Sequence, residues 1–314
     1  MIRQIKNKKQ MQDLIRKSAA GLAAVIVLVI MLGIAGSRNE KKKEAKATVN
    51  VAEETKKNNE TAKTNETQIK DLLAQDVYSA QLTVLYEKYP EIEEILLNRS
   101  SYPDWLIEYF IGHEEAVNWV VGYPEHIAAE QIEIDTKAMA EVDLGNYEVR
   151  NGIPLYYQWD QRWGYASYGP GLIATDGCGT TCMSMVATGL LNNSGMTPKI
   201  IADFSYEQGY YLADSGTAWG LMSEGAEGLG IHVIEVQWSI SDVMEQLNNG
   251  RPVICSMGPG DFTDQGHFIV LSGINEEGLI LVNDPNSAVN SQKAWDAQVL
   301  LDQMKAMWAY EVPQ

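Results

Sequence analysis

The stretch around which the fold can be worked out is TDGCGTTCMSMVATGLL, residues 175–191. After Cys178, apolar residues recur at helical spacing, which predicts a helix that begins at or just after that cysteine. The unpaired backbone N–H groups and the dipole at a helix N-terminus favour the thiolate, which is the reactive form of cysteine. Gly177 and Gly179 flank Cys178 and would let a substrate backbone approach closely. Cys178 is therefore the candidate nucleophile, with an inert buried thiol as the alternative.

A cysteine nucleophile needs a general base, usually a histidine, and a group that orients the base. Downstream of Cys178 the chain has two histidines, His232 and His267. His267 opens the apolar run HFIVLSGI, whereas His232 lies inside an apolar run and is predicted to be a packing residue. Asp284 closes the run LILVND and is the candidate orienting carboxylate. Because Asp284 precedes Pro285, a simple turn-forming role is the alternative for this residue.

The two apolar runs that carry His267 and Asp284 are predicted to form a β-hairpin, because the sequence NEEG between them is a turn signal. If Asn275 pairs with Gly278, Asp284 is the diagonal neighbour of His267 on the same face. Diagonal neighbours have Cβ atoms about 7–8 Å apart or somewhat less, within reach of an Asp–imidazole hydrogen bond. A slip of one residue would move the two side chains to opposite faces, so the prediction depends on the turn.

The three cysteines, Cys178, Cys182 and Cys255, exclude several kinds of site. They are too few for a disulfide framework, and the CxxxC spacing fits neither a structural zinc site nor a CxxC redox motif. We therefore expect no metal and no cofactor. Cys182 and Cys255 lie in apolar runs and are predicted to be buried structural residues. The net charge of −18 argues against nucleic acid as a partner.

The N-terminal region is predicted to anchor the chain in a membrane. Residues 1–17 are basic, whereas residues 18–37 carry no charge and have the length needed to cross a hydrocarbon core once. Basic flanks stay in the cytoplasm, so the chain after this single span is expected to be extracytoplasmic. The alternative is a cleaved signal peptide, whose apolar core would be about 7–15 residues long.

The rest of the chain divides into three parts by composition. Residues 38–67 contain almost no large apolar side chains and are predicted to be a disordered linker. Residues 68–145 show helical periodicity interrupted by Tyr-Pro pairs, which predicts a small segment of short helices. Residues 149–314 combine β-branched runs with helical runs, which predicts a mixed α+β domain. The helical run SISDVMEQL has Ser241 or Asp242 as its predicted cap.

Five motifs in the last part, taken in order, resemble a known family: WDQRWG, GCGTTCMSMV, RPVICSM, GHFIVLSGI and VNDP. This order is similar to that of the stand-alone C39-like cysteine peptidase domains of bacteria, which belong to the papain-like group. The likeness covers about residues 153–285 and continues more weakly to about residue 310. The helical segment before it also looks like the extension that precedes this domain in many such surface proteins.

The resemblance implies a role for each matching residue. Cys178 would be the nucleophile, His267 the general base and Asp284 the orienting carboxylate. The family's oxyanion glutamine precedes the cysteine, and Gln158 matches it best, with Gln161 as the second choice. A glutamine amide there would donate to the developing oxyanion. The alternative for either glutamine is an ordinary loop residue.

The sequence departs from the family in two respects. The family often has GCGPTS, with proline and serine where this chain has Thr180 and Cys182. A second cysteine at the latter position does occur in the double-glycine leader peptidases. No ATPase or transporter segment is attached, so the resemblance does not imply an export function.

Taken together, these observations favour a membrane-anchored extracytoplasmic cysteine peptidase that hydrolyses peptide or other amide bonds. Its substrate would be a peptide or protein, and the sequence does not indicate an oligomeric state. One alternative is a cell-wall peptide amidase or transacylase that uses the same three residues. The other is a catalytically silent peptide-binding surface module, against which the presence of Cys178, His267 and Asp284 argues.

Overall fold

The computed structural model describes residues 69, 71, 76–213 and 215–313. The predicted basic N-terminus, membrane span and linker, which together make up residues 1–67, lie outside the described residues. Within the described part, no helix has both the length and the apolar composition to cross a membrane. Residues 69–314 group as one compact unit.

Short helices fill the first described segment. The α-helices are α1 Ser79–Lys88, α2 Glu93–Leu97, α3 Asp104–Gly112, α4 Val117–Ile127 and α5 Gln131–Ala138. Between or after them lie 3-10 turns at Pro90–Ile92, Arg99–Ser101, Glu114–Ala116 and Leu144–Asn146. Pro90 and Pro103 stand at helix starts, where a missing N–H is harmless, whereas Pro124 lies inside α4.

The second segment combines helices with an antiparallel sheet. Its helices are α6 Ile173–Asp176, α7 Cys178–Leu191, α8 Pro198–Glu207, α9 Glu224–Gly228, α10 Ile240–Asn248, α11 Ala288–Ser291 and α12 Ala297–Gln303, with a 3-10 turn at Trp219–Leu221. Its strands are β1 Val149–Arg150, β2 Ile153–Pro154, β3 Ser167–Tyr168, β4 Gly171–Leu172, β5 Tyr211–Leu212, β6 Gly216–Thr217, β7 His232–Ile234, β8 Val253–Met257, β9 His267–Ile274, β10 Ile280–Asn283, β11 Ala294–Trp295 and β12 Met304–Glu311. Among the described residues, the main sheet has the order β11-β10-β9-β8-β12-β7, and the other strands pair as β1-β2, β3-β4 and β5-β6.

The main sheet has helices on both faces. Ile254 and Val270 belong to a core that includes α7, whereas Val253 and Ile269 belong to a second core with α10 and α12. These residues alternate because successive side chains of a strand point to opposite faces. The mixed α+β architecture predicted from the sequence is confirmed.

Helix α7 is the central helix of this architecture and is more buried than an amphipathic stripe would require. Its residues 179–188 are all buried, because it packs between β9, β2 and α8. A helix that is enclosed all round belongs to a protein interior. It ends at Asn192, which adopts the left-handed conformation with φ 48°. Cys178 is the first residue of this helix.

The hairpin of β9 and β10 differs from its prediction by one residue at the turn. The N–H of Gly278 donates to the carbonyl of Asn275 at 3.0 Å, as in the predicted turn, but the N–H of Asn275 donates to the carbonyl of Leu279 at 2.9 Å, so Leu279 and not Gly278 lies opposite Asn275. Further along, the register shifts, and the unpaired extra residue Ser272 makes a β-bulge. Beyond the bulge Asn283 lies opposite Val270, which is the predicted register. The two one-residue offsets therefore cancel before the strands reach the candidate site.

The predicted cap of α10 is wrong by two or three residues. The Ser239 hydroxyl accepts the N–H of Asp242 at 3.2 Å and is the N-cap. Ser241 and Asp242 instead lie in the first turn of the helix. Ile240, which follows the cap, is already helical, so the helix begins before the predicted cap.

The helical segment and the sheet-containing segment share one core. The Tyr165 hydroxyl donates to the carbonyl of Trp119 at 2.6 Å, and the two rings stack with centroids 5.6 Å apart. The Tyr109 hydroxyl of α3 donates to the carbonyl of Ala174 in α6 at 2.9 Å. Because Ala174 is four residues before Cys178, the helical segment reaches the neighbourhood of the candidate nucleophile.

Candidate active site

Cys178 is the accessible thiol among the three cysteines. It is half-buried at the start of α7, whereas Cys182 and Cys255 are fully buried. Burial raises the pKa of both Cys182 and Cys255, so their thiolates are disfavoured. The prediction that these two cysteines are buried is confirmed. Cys178 alone is placed to react with a molecule from solution.

The two glycines beside Cys178 are required by packing within the protein itself. A Cβ atom at Gly177 would lie 2.5 Å from the carbonyl oxygen of Ile173, and one at Gly179 would lie 2.7 Å from Cβ of Thr217. The sequence had suggested that these glycines leave space for a substrate backbone. In the structure that space is already occupied by the protein, so the glycines allow α7 to pack closely against its neighbours.

His267 and Asp284 form a buried pair next to Cys178. Nε2 of His267 lies 2.7 Å from Oδ1 of Asp284, and both side chains are almost fully buried. Burial by itself would lower the pKa of His267, but the negative charge and hydrogen bond of Asp284, together with Cys178, raise it to about 10. Because Nε2 of His267 contacts Asp284, Nδ1 is the ring nitrogen that can interact with the Cys178 thiol.

Asp284 is held by more than its histidine. Its Oδ1 accepts the backbone N–H of Asn286 at 2.9 Å, and its Oδ2 accepts the side-chain amide of Asn290 at 3.0 Å. The backbone N–H of Asp284 donates to the Ser291 hydroxyl at 2.9 Å. Sequence reasoning missed Asn286, Asn290 and Ser291, since no motif marks them. With these contacts, Asp284 does more than form a turn.

Of the two glutamines considered from the sequence, the structure brings Gln158 to the site. Gln158 is 2% exposed, and its Nε2 donates to the carbonyl of Ala174 at 2.6 Å while its backbone N–H donates to the carbonyl of Pro285 at 2.8 Å. It lines the same cavity as Cys178 and His267. Gln161 is exposed and donates to the carbonyl of Asn118 in α4, away from that cavity.

The other histidines lie in different surroundings. His232 is exposed beside Glu227 at 2.9 Å and not in the interior, so its predicted packing role is wrong. His113 lines the cavity next to His267, with its ring stacked on Tyr109. Burial lowers the pKa of His113, which also feels the charge of His267. Within the described residues, no cluster of three or more His, Cys, Asp or Glu side chains could hold a metal ion.

An open cleft extends to both sides of Cys178 and His267. On one side, a cavity of about 690 Å³ is bounded by β6, β8 and the Trp219–Leu221 turn. On the other, a cavity of about 640 Å³ is bounded by the end of α3, the following 3-10 turn and the loop before β9. Both cavities share Thr175, Cys178, Gln265, Gly266 and His267. An extended chain could therefore lie across the thiol with residues on either side.

The raised pKa of His267 predicts a specific dependence of stability on pH. In the unfolded chain this group titrates near its ordinary value of 6.5, and in the folded chain it titrates near 10. At His267 the folded state therefore binds one more proton between these values, and the stabilisation that this group contributes below pH 6.5 is lost as the pH rises towards 10. In that window the free energy of unfolding should fall by up to about 1.4 kcal/mol per pH unit from this group.

Urea unfolding of the wild type and of Asp284→Asn across the window measures this effect. The variant removes the charge that favours the imidazolium, so its free energy of unfolding should decline less steeply. Parallel curves for the two proteins would contradict the assignment of the raised pKa to Asp284.

The sequence profile of the Peptidase_C39 like family matches residues 150–314, which is more than half of the chain. Comparison with curated proteins gives no match. The matched region contains Gln158, Cys178, His267 and Asp284, and it leaves out the helical segment that lines one side of the cleft. Residues 150–314 thus form a C39-like peptidase domain, and the chain belongs to the Peptidase_C39 like family.

Proposed function

We propose that this protein is a cysteine peptidase in which Cys178 is the nucleophile, His267 the general base and Asp284 the group that orients the base. The observation that carries the proposal is the buried His267–Asp284 pair, with its 2.7 Å contact, beside a half-exposed thiol at a helix N-terminus. A thiolate is favoured by such a helix terminus and by a neighbouring imidazolium. The family match supports the same assignment.

The reaction proceeds through an acyl-enzyme. The Cys178 sulfur attacks the carbonyl carbon of the amide, and His267 gives its proton to the amine nitrogen as the C–N bond breaks. Water then attacks the resulting thioester while His267 takes its proton. The sulfur then leaves as a thiolate when the acid is released, while His267 keeps that proton, which restores the starting pair of thiolate and imidazolium. Asp284 keeps the ring oriented throughout and stabilises its positive charge whenever the ring is protonated.

Gln158 is proposed as the donor to the oxyanion that forms during both steps. Its side chain lines the cavity that contains Cys178, and its Nε2 uses one donor on the carbonyl of Ala174, which leaves a second N–H on the same nitrogen. The backbone N–H of Cys178 at the start of α7 would be its partner. Two donors of this kind stabilise charge that exists only in the transition state and intermediate.

The shape of the cleft favours a peptide bond within a chain as the substrate. Cavities of about 690 and about 640 Å³ on opposite sides of the thiol give room for residues on both sides of the bond that is cut. A wall-peptide amidase or transacylase would use the same acyl-enzyme and differ in the molecule that accepts the acyl group. A silent binding module would use the cleft without forming the thioester.

The enzyme is further proposed to be tethered by a single N-terminal span with its catalytic domain outside the cytoplasm. This part rests on the sequence of residues 1–37, in which a basic stretch precedes an uncharged apolar stretch. Protease added to intact cells should release the C39-like domain by cutting the predicted linker, because that linker is solvated. A domain that stays intact until the cells are lysed would overturn the topology.

Covalent labelling tests the nucleophile. A peptidyl chloromethyl ketone should add its mass to the Cys178 peptide of the purified chain, and Cys178→Ala should abolish the adduct. His267→Ala should slow the labelling, because the thiolate loses its cationic partner. Cys255→Ala is the matched control and should label like the wild type. Labelling that persists in Cys178→Ala, or that falls equally on Cys182 and Cys255, contradicts the proposal.

The oxyanion role of Gln158 is tested by turnover of a fluorogenic peptide that the wild type cleaves. Losing one such donor lowers kcat by about 10²–10³, or roughly 3–4 kcal/mol, so Gln158→Ala should lose kcat by that factor with little change in KM. Gln158→Glu should be at least as impaired, since a carboxylate repels the oxyanion. Gln161→Ala, three positions away and on the surface, should keep its kcat. A large kcat loss at Gln161 instead would show that the wrong glutamine had been assigned.

A further inference from the structure

Asp284 is positioned largely by the short helix α11 and its flanking residues. Asn290 and Ser291 belong to α11, and they bond to the Oδ2 and to the backbone of Asp284, respectively. The N-cap of α11 is Ser287, whose hydroxyl accepts the N–H of Asn290 at 3.2 Å. A helix of one turn is not stable alone, because nucleation fixes many dihedral angles for few hydrogen bonds. The geometry of Asp284 therefore depends on whatever holds α11 in place.

Glu115 is the residue that holds the start of α11. Its Oε2 accepts the N–H of Ala288 and its Oε1 accepts the N–H of Val289 at 3.1 Å. These are the first two N–H groups of the helix, which have no partner inside it. Together with Ser287, the carboxylate satisfies the first three N–H groups of α11. Glu115 comes from the 3-10 turn Glu114–Ala116, which is 173 positions upstream of Ala288.

We infer that Glu115 is a positioning residue of the active site: by fixing α11 it fixes the Asp284 carboxylate and, through it, the His267 ring. The inference rests on the proposed function, since it assigns a role in orienting the base. It also assigns a role to the helical segment before the matched region, as part of the active site and not only as a spacer in front of it. Glu115 lies outside residues 150–314, so the family match does not include it.

A second set of contacts brings the same segment to Ala174, whose carbonyl also binds Gln158. The Tyr109 hydroxyl and Nε2 of Gln158 both donate to the carbonyl of Ala174, at 2.9 and 2.6 Å. Gly112, His113, Glu114 and Glu115 line the cavity of about 640 Å³ together with Cys178. Tyr109 of α3 therefore shares an acceptor with the proposed oxyanion donor, and the turn after α3 contacts the helix that supports Asp284.

The charge and shape of a carboxylate are what this position requires. Each of its two oxygens meets one backbone N–H, and hydrogen bonds to an ionised acceptor are about twice as strong as neutral ones. A glutamine has the same length but replaces one oxygen by an amide nitrogen, which would face an N–H and cannot accept. Glu115→Gln should therefore loosen α11 while it leaves the packing of the segment nearly unchanged.

The experiment measures the rate at which iodoacetamide alkylates Cys178 in the full chain, at about pH 6 and at about pH 9.5, for the wild type, Glu115→Gln and Glu114→Gln. A free thiol with a pKa of about 8.5 reacts slowly at the lower pH, so fast reaction there reports the imidazolium beside the sulfur. Misplacing a reacting group by about 1 Å can cost up to about 10²-fold in rate. Glu115→Gln should lose at least several-fold of the low-pH rate and keep the high-pH rate.

Glu114→Gln is the matched control, because Glu114 lines the same cavity but its carboxylate contacts Lys88 on the surface and not α11. It should keep the wild-type ratio of the two rates. Mass spectrometry of Cys182 and Cys255, which are buried, checks in the same samples that each variant is folded. If Glu115→Gln unfolds, Ser287→Ala, which removes the other side-chain acceptor at the start of α11, should lower the low-pH rate and keep the high-pH rate, and an unchanged ratio would overturn the inference.

The outcomes separate this inference from the proposed function. A wild type whose Cys178 shows no fast reaction at low pH overturns the proposed function and the inference with it. If the wild type shows this fast reaction and folded Glu115→Gln keeps the same ratio of low-pH to high-pH rate, the inference alone is overturned. Equal loss of the low-pH rate in Glu114→Gln would also overturn it, because the effect would then belong to the charge of the cavity and not to α11.

Discussion

The buried contact between His267 and Asp284 is the interaction on which the arrangement of the site depends. Taking a carboxylate out of water costs several kcal/mol unless its hydrogen-bonding positions are filled. Asp284 meets this condition with donors from His267, Asn286 and Asn290. Two of these donors, Asn286 and Asn290, follow β10 within a few residues. The path of the chain there is therefore constrained, because both residues must reach the Asp284 carboxylate.

Cys178 approaches this pair from a different layer of the fold. It begins α7, which is enclosed by β9, β2 and α8, so the thiol stands on a rigid element and not on a free loop. Close packing at Gly177 and Gly179 fixes the start of the helix, since any side chain there would meet Ile173 or Thr217. Precise placement of reacting groups needs this kind of support. The sheet supplies His267 and the buried helix supplies Cys178.

The helical segment contributes more to the site than its position before the matched region suggests. It shares a core with the C39-like domain, supplies one wall of the cleft and contacts both α6 and α11. It also adds Glu114 and Glu115 to its half of the cleft. That half also includes Asp261 and Asp264, whereas the other half includes both Asp176 and Lys305.

The sequence by itself determined the features that rest on local patterns. Glycine flanks and helical spacing made Cys178 the candidate nucleophile, and strand-end positions made His267 and Asp284 the candidates for its partners, because the signals lie within a few residues of each. Only the tertiary structure decided what depends on distant contacts: the bulge at Ser272, the support of Asp284 by Asn290, and the contact of Glu115 with α11. The hairpin register came out right only because the turn and the bulge each shift it by one residue. Glu115 has an ordinary place in its own turn, and its partners are 173 and 174 positions away. No local pattern records such a contact, since its energy appears only when packing brings the two segments together.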